Sequence, residues 1–382
     1  MTQFPIDLFK TTDTPFYYYD MGLLERTLKE LTHASGRFGY KVHYAMKANA
    51  NPAILAAIRE AGLGIDAVSG PEISRALECG FAPESIVFAG VGKSDAEIDL
   101  ALEAGIACFN VESEPELDVI AEIAARMGVT ARVALRVNPN IDAHTHAYIT
   151  TGLSENKFGI ALERLDSIIE RCHALASIEL EGLHFHIGSQ ITETEPFVML
   201  SETINSLIDS YASRGILFRS INVGGGLGID YGDPDRHPVP DFNRYFETFA
   251  RHLRLRDGQT LHCELGRSVV AQCGSLITRV IYVKEGLAKK FAIVDAGMTD
   301  LIRPALYQAH HKIENITAAP DSPIDTYDVV GPICESSDCF GVGERLPETH
   351  RGDMLALRSA GAYGEIMSSQ YNCRRLPGSL IG

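Results

Sequence analysis

Between residues 41 and 266 the apolar positions alternate between two rhythms. Short β-branched runs read as strands: "KVHYAM", "GIDAVS", "SIVFAG", "ACFNVE", "ARVALRVN", "EGLHFHIG", "SINVGGGLG" and "TLHCELG". Between most of them, "NPAILAAIREAG", "PEISRALECG", "SDAEIDLALEAG" and "EPELDVIAEIAARMG" repeat apolar residues at helical spacing. Proline at a helix start and glycine at its end, as at Pro52 and Gly62, supply the punctuation. Eight consecutive β/α units predict an α/β protein built on a (β/α)8 TIM-type barrel. A doubly wound sheet is the alternative with the same rhythm.

After Arg267 the rhythm changes. "SLITRVIYVKEG", "KKFAIVDAGM", "YDVVGPICES" and "DMLALRSAGAYG" read as strands joined by loops with little helix between them. A second, mainly β domain is expected from that shift. "PFYYYD", residues 15–20, is a further strand available to the same sheet. The division drawn is therefore a barrel over 21–266 and a β domain over 1–20 and 267–382.

Composition narrows the class without choosing a function. The 382 residues are 45% hydrophobic and 22% charged, as in an ordinary soluble globular protein. A net charge of −16 with no basic stripe argues against a nucleic-acid partner. No apolar run reaches the ~18 residues of a membrane span, and the N-terminus lacks the basic-then-apolar order of a secretory signal. Eight cysteines without a C-x-x-C pair suggest neither a disulfide framework nor a zinc ribbon. A cytoplasmic location with reduced thiols is the expectation.

A barrel gathers the ends of its strands on one face, where such folds place their chemistry. Lys47 ends the first strand; His186 and Ser189 end the sixth, Gly224, Gly225 and Gly226 the seventh, and Glu264, Gly266 and Arg267 the eighth. Each has a plain structural reading: a lysine paired with a carboxylate, a core histidine, a tight turn, a Glu264–Arg267 ion pair. Together they describe a seat for pyridoxal 5'-phosphate. A desolvated lysine can hold an aldehyde as a Schiff base. Glycine N–H groups can hold a phosphate, a carboxylate can keep a pyridine nitrogen protonated, and an imidazole can lie on the ring. His184 and His186 also permit a metal-binding reading, with His144 and His146 as a second pair; no metal is the preferred expectation.

In these motifs the chain resembles the diaminopimelate decarboxylases, fold type III enzymes of the alanine racemase and ornithine decarboxylase group. The resemblance runs from about residue 14 to 373. It is carried by "YAMKAN", "GIDAVSGPEI", "GLSENKFGI", "HFHIGSQ", "VGGGLGI", "CELGR", "DAGMTDLIRPALY", "GPICESSD" and "GAYGEIMSSQYN". The resemblance implies that Lys47 carries the cofactor and that His186, Ser189, Gly225, Gly226, Tyr363 and the segment Glu264, Leu265, Gly266, Arg267 hold it. It assigns Arg267, Arg303, Tyr307, Glu335 and Tyr363 to substrate, and makes Cys334 the proton donor. Cys334 and Glu335 would come from a partner subunit, so the active sites would be shared across a homodimer. For these later residues too, a buried thiol, a surface charge and a core aromatic are the plainer readings.

Two arginines also bear on substrate. A distal ammonium, as in ornithine or lysine, would be repelled by arginine, whereas a distal carboxylate would be bound by it. The expected reaction is decarboxylation of meso-2,6-diaminopimelate to L-lysine and CO2. Related decarboxylases of ornithine, arginine or carboxynorspermidine are the alternative, followed by a racemase and a non-catalytic relative. One departure from the family pattern is the ending "LPGSLIG", where the last element of the β domain is expected to be shortened or absent.

Overall fold

The computed structural model describes residues 4–141 and 157–382. The chain divides into two compact units, Leu28–Gly228 with Asp241–Gly266, and Met1–Thr27 with Ile229–Pro240 and Arg267–Gly382. The excursion Ile229–Pro240, which the sequence rhythm leaves inside the barrel, groups with the β unit because it contains no strand of the ring and hydrogen-bonds to Gln272 through Pro234 and His237.

Strands are numbered in chain order, and β1 (Phe16–Tyr19) belongs to the β unit. The barrel unit holds β2 (Lys41–Ala45), β3 (Gly64–Ala67), β4 (Ile86–Phe88), β5 (Cys108–Val111), β6 (Ala131–Asn138), β7 (Ile160–Ala161), β8 (Ile178–His184), β9 (Ser220–Asn222) and β10 (Thr260–Leu265). Parallel pairing runs from β2 through β3, β4, β5, β6, β8 and β9 to β10, which pairs with β2 and closes the ring, while β7 adds to β6. This is the closed eight-stranded parallel barrel expected from the alternation.

The helices begin where side chains can satisfy open backbone N–H groups. Ser69 and Ser113 each accept from an N–H three residues on, and Ser94 with Glu97 forms a capping box. Gly105 and Gly128 end two helices in left-handed geometry. The helix Pro52–Glu60 buries Ile54, Leu55 and Ile58 on one face, as its apolar spacing requires.

The strands stop short of the β-branched runs that signal them. β2 ends at Ala45, so Lys47 lies in a single 3-10 turn, Met46–Ala48. β8 ends at His184 and β9 at Asn222, so His186, Ser189 and the three glycines lie on the connections beyond. Backbone geometry explains this: Gly188, Gly224 and Gly226 have φ of 150°, 67° and 112°, which an extended ladder does not accommodate.

The β unit holds β11 (Gly274–Glu285), β12 (Lys290–Val294), β13 (Ile313–Asn315), β14 (Ile324–Val330), β15 (Cys339–Pro347), β16 (Met354–Leu357) and β17 (Gly378–Ile381). The sheet runs β13, β16, β11, β12, β14, β15, with β1 antiparallel to β11 and parallel to β17. β13, β15 and β17 fall where the sequence reads as loop; β17 is formed by the closing stretch "GSLI". Among the described residues no helix is long and apolar enough to cross a membrane.

One face of this sheet packs Phe16, Tyr18, Ile277, Met354 and Ala356 against Phe9 of the helix Ile6–Lys10. The Phe9 ring meets Phe16 and Tyr18 edge-on at centroid distances of 5.2 and 5.0 Å. Phe9→Ala leaves a cavity that this close packing cannot refill, and we expect it to lower stability by about 3–5 kcal/mol. Urea unfolding of the two proteins checks this; a loss below ~1 kcal/mol would contradict it.

Candidate active site

The barrel unit brings Lys47, Asp66, His184, His186 and Glu264 into one electrostatic cluster. Glu264, near the end of β10, is buried. Its Oε1 accepts from Asn110 Nδ2 on β5 at 3.0 Å and from Asn222 Nδ2 on β9 at 2.8 Å. Its Oε2 accepts from His184 Nε2 on β8 at 2.9 Å. An ionised carboxylate can only accept, so His184 carries its proton on Nε2. Burial opposes the Glu264 charge, but His184 and Lys47 outweigh it and hold the carboxyl well below the usual carboxylate range.

Lys47 Nζ donates to Asp66 Oδ2 at 3.1 Å. Asp66 is fully buried and its Oδ1 has no hydrogen-bond partner among the described residues. Burial and the nearby Glu264 charge push its carboxyl upward, with Lys47 opposing them. Lys47 thus bonds to one buried carboxyl group, Asp66, which is reluctant to ionise, and its charge favours ionisation of the other, Glu264.

His186 Nδ1 accepts from the Gly225 N–H at 3.2 Å, which places the ring proton on Nε2. Desolvation, then the Arg136 and Lys47 charges, holds this imidazole neutral, well below its ordinary range. The Ile191 N–H donates to Gly226 O at 2.8 Å and the Gly228 N–H to Ile191 O at 2.9 Å, which brings the segment after Ser189 alongside the glycines. A Cβ on Gly225 would lie 2.1 Å from Glu264 O, so glycine is required there by backbone contact alone. Leu265 is buried, and Gly266 lies so close to Ala45 and Ala48 that an added Cβ would sit 3.1 Å from each of theirs. That contact ties the "CELGR" segment to the turn that carries Lys47.

The β unit gathers a second constellation. Arg267 Nη1 donates to Tyr231 Oη at 2.6 Å, and its guanidinium carbon lies 4.9 Å from the Tyr363 ring centroid. The Arg303 guanidinium carbon is 4.8 Å from the Tyr231 ring centroid, and both arginines are buried. Burial and the Arg267 charge press against the Arg303 charge, with Tyr231 favouring it. Among the described residues Arg303 has no carboxylate in ion-pair reach; its guanidinium meets the Tyr231 ring and an imidazole instead. Tyr307 ends the short helix Arg303–Tyr307. Tyr363 has φ of 56°, a left-handed conformation that costs a non-glycine residue about 1–3 kcal/mol.

Cys334 and Glu335 are exposed, on a loop pinned by Asp338, which accepts from the Met298 N–H at 2.6 Å and the Ile333 N–H at 2.7 Å. The Cys334 N–H donates to Asn372 Oδ1 at 3.0 Å.

The structure corrects two plain readings. Glu264 is held by two asparagines and a histidine, all from barrel strands, rather than defined by an Arg267 pair. His184 and His186 do not share one strand: β8 ends between them, one binds Glu264 and the other Gly225. His144, His146 and most of "GLSENKFGI" lie outside the described residues. Sequence reasoning missed Asp66, Asn110, Asn222 and Tyr231. The first three carried a signal, since a lone polar residue inside an apolar parallel strand is seldom buried without a task. Tyr231 carried none.

An eight-stranded parallel barrel with a lysine just past its first strand and an anchored, ionised glutamate on its last defines a class, the barrel-type pyridoxal phosphate enzymes. A family model described as the pyridoxal-binding domain of pyridoxal-dependent decarboxylases matches residues 21–271. Within that class the chain belongs to the diaminopimelate decarboxylase family. It is 60% identical to a diaminopimelate decarboxylase of Bacteroides thetaiotaomicron over 98% of this chain and 97% of the relative. It is 44% identical to one of Helicobacter pylori over 96% and 90%. The crystal structure of a Helicobacter pylori diaminopimelate decarboxylase complexed with L-lysine superposes with a TM-score of 0.93 at 42% identity, covering 99% of this chain and 93% of that one.

Pyridoxal 5'-phosphate is the cofactor of this family, and the donor set fits it. A carboxylate offers about four lone-pair positions. Asn110, Asn222 and His184 use three at Glu264, which leaves one on Oε2 for a protonated ring nitrogen.

The two buried carboxyl groups give opposite pH dependences. An unfolded aspartate titrates near ~3.9 and Asp66 in the folded protein titrates higher, so folding favours its proton. Its ionisation therefore removes stability as pH rises from about 4 through the raised folded value. Glu264, depressed on folding, contributes stability above ~4.3 that is lost only as pH falls. Asp66→Asn should delete the first contribution and keep the second, so its unfolding free energy gains on the wild type as pH rises over about 4–7. Urea unfolding of both proteins across that range checks this; a constant difference would refute it.

Proposed function

We propose that the protein decarboxylates meso-2,6-diaminopimelate to L-lysine and CO2, as a homodimer whose subunits share their active sites. The observation that carries the substrate choice is Arg303, a buried guanidinium beside Arg267 with no carboxylate partner among the described residues. A substrate with a second amino-acid head supplies the missing carboxylate, whereas an ornithine or arginine side chain would bring another positive charge.

Pyridoxal phosphate, when bound, supplies an aldehyde that captures an amino group and a conjugated ring that takes up the electron pair left by departing CO2. Lys47 would hold the aldehyde of the cofactor, and Ser189, Gly225, Gly226, Leu265, Gly266, Arg267 and Tyr363 would serve its phosphate side. Glu264, held ionised, would keep a proton at the ring nitrogen and so deepen the electron sink. His186, neutral and tied to Gly225, would offer a flat face to the ring. Arg267, Arg303, Tyr307 and Tyr363 orient the substrate's distal carboxylate, and Glu335 meets the distal amine. Cys334 Sγ gives its proton to Cα once CO2 has left and recovers one from water. The exposed loop of Cys334 and Glu335 suits presentation to another copy of the chain. The free thiols of all eight cysteines support a cytoplasmic setting.

Incubation with meso-diaminopimelate and added cofactor should yield lysine and CO2, and putrescine should not form from ornithine. Arg303→Ala should lower kcat/KM for diaminopimelate roughly 100-fold or more, through loss of a charge-assisted contact. Unchanged kinetics would remove Arg303 from the site.

Lys47→Ala and Cys334→Ala should each be inactive alone. Mixed after dissociation, they should recover about a quarter of wild-type activity, since half the dimers are hybrid and each hybrid holds one intact site. No recovery from well-folded hybrids would refute the shared site.

A further inference from the structure

His311 lies on no family motif quoted above, yet it is completely buried, and both of its ring nitrogens are bonded. Nε2 is 2.9 Å from Arg303 Nη1, and Nδ1 is 2.8 Å from Arg358 O. The two partners dictate the state of the ring. A guanidinium can only donate, so Nε2 must be the acceptor; a carbonyl can only accept, so Nδ1 must carry the hydrogen. Both bonds therefore exist together only in the neutral Nδ1–H tautomer. Burial, then the Arg303 charge, pushes this imidazole down to about 3, in agreement with the geometry.

The chain on the far side of the ring is itself fixed. Arg358 is buried and bonds to Glu314 Oε2 at 2.7 Å and Asp235 Oδ1 at 3.1 Å. Its backbone N–H donates to Lys312 O at 2.9 Å, and Tyr231 packs its edge on the His311 ring at 5.2 Å. The imidazole is thus anchored to a rigid backbone on one side and offers one lone pair to Arg303 on the other. A carboxylate in its place would orient Arg303 as well but would neutralise it. A neutral imidazole aims the guanidinium while leaving its charge unspent.

We propose that His311 is a positioning residue: it holds the Arg303 guanidinium in the orientation that binds the substrate's distal carboxylate, without competing for its charge. This rests on the diaminopimelate reading above and adds a specificity determinant to it.

Two substitutions separate positioning from space-filling. His311→Gln can place an oxygen where Nε2 stood and keep the Arg303 bond. His311→Asn can reach Arg358 O in the place of Nδ1 but cannot reach Arg303. His311→Asn should raise KM for diaminopimelate roughly tenfold or more with kcat changed less than about threefold, while His311→Gln should stay within about threefold in both. In an Arg303→Ala background, His311→Asn should cause no further loss, because the group it serves is gone. Equal losses from Gln and Asn, a fall in kcat alone, or an additive loss in the double variant would overturn the proposal. If Arg303→Ala leaves KM unchanged, the substrate reading of Arg303 fails first and this proposal with it. If Arg303→Ala raises KM and His311→Asn does not, only this proposal fails. Nitrogen-15 NMR of the wild-type holoenzyme needs no variant to fold: His311 should remain the neutral Nδ1–H tautomer down to about pH 6, and a protonated or Nε2–H ring would refute it.

Discussion

A negative charge buried in the barrel is the constraint on which the rest depends. Glu264 is 6% exposed, and an ionised carboxylate at that depth is untenable unless its oxygens are satisfied. The donors come from β5, β8 and β9, and the acceptor from β10, so no local stretch of chain could assemble them. Only a closed ring of parallel strands presents four such side chains to one point at hydrogen-bond distance. The barrel here is the device that holds a buried carboxyl well below the usual carboxylate range. Burial and then the Glu264 charge push Asp66 upward, whereas His186 is held neutral by burial and the Arg136 and Lys47 charges, against the pull of Glu264.

The β unit solves the reverse problem. Two guanidiniums are buried near each other, which is repulsive, and Arg303 is kept in place by a phenol ring and an imidazole rather than by acids. Among the described residues Arg303 is thereby satisfied in geometry without an ion pair. Planar guanidiniums held in a fixed orientation present a directional fork that the point charge of a lysine does not.

The barrel was legible because its two periodicities are strong and repeat eight times. Lys47, His186 and Glu264 were legible as chemical types at the ends of β-branched runs. The boundaries were not, because β-branched propensity continues through positions such as Ile187 and Val223 while the neighbouring glycines turn the chain. β13, β15 and β17 escaped notice for a related reason: three to nine residues rich in glycine or charge form strands only because the neighbours β16, β14 and β1 pair with them. Asn110 and Asn222 are polar positions inside otherwise apolar strands and act as the clamp on Glu264. Tyr231 and His311 were beyond reach, since their meaning lies in which arginine folds against them.

β1 pairs with β11 and with β17, residues some 260 and 360 positions further along the chain. During synthesis, Phe16–Tyr19 therefore leaves the ribosome long before either neighbour in its sheet exists. Its four aromatic residues, fully paired and buried in the finished molecule, must wait through the translation of the entire barrel. That interval makes the nascent N-terminal segment a natural client for chaperones that shield aromatic stretches. It also makes prematurely terminated chains, with a completed ring and an orphaned first strand, the species most prone to stick to one another.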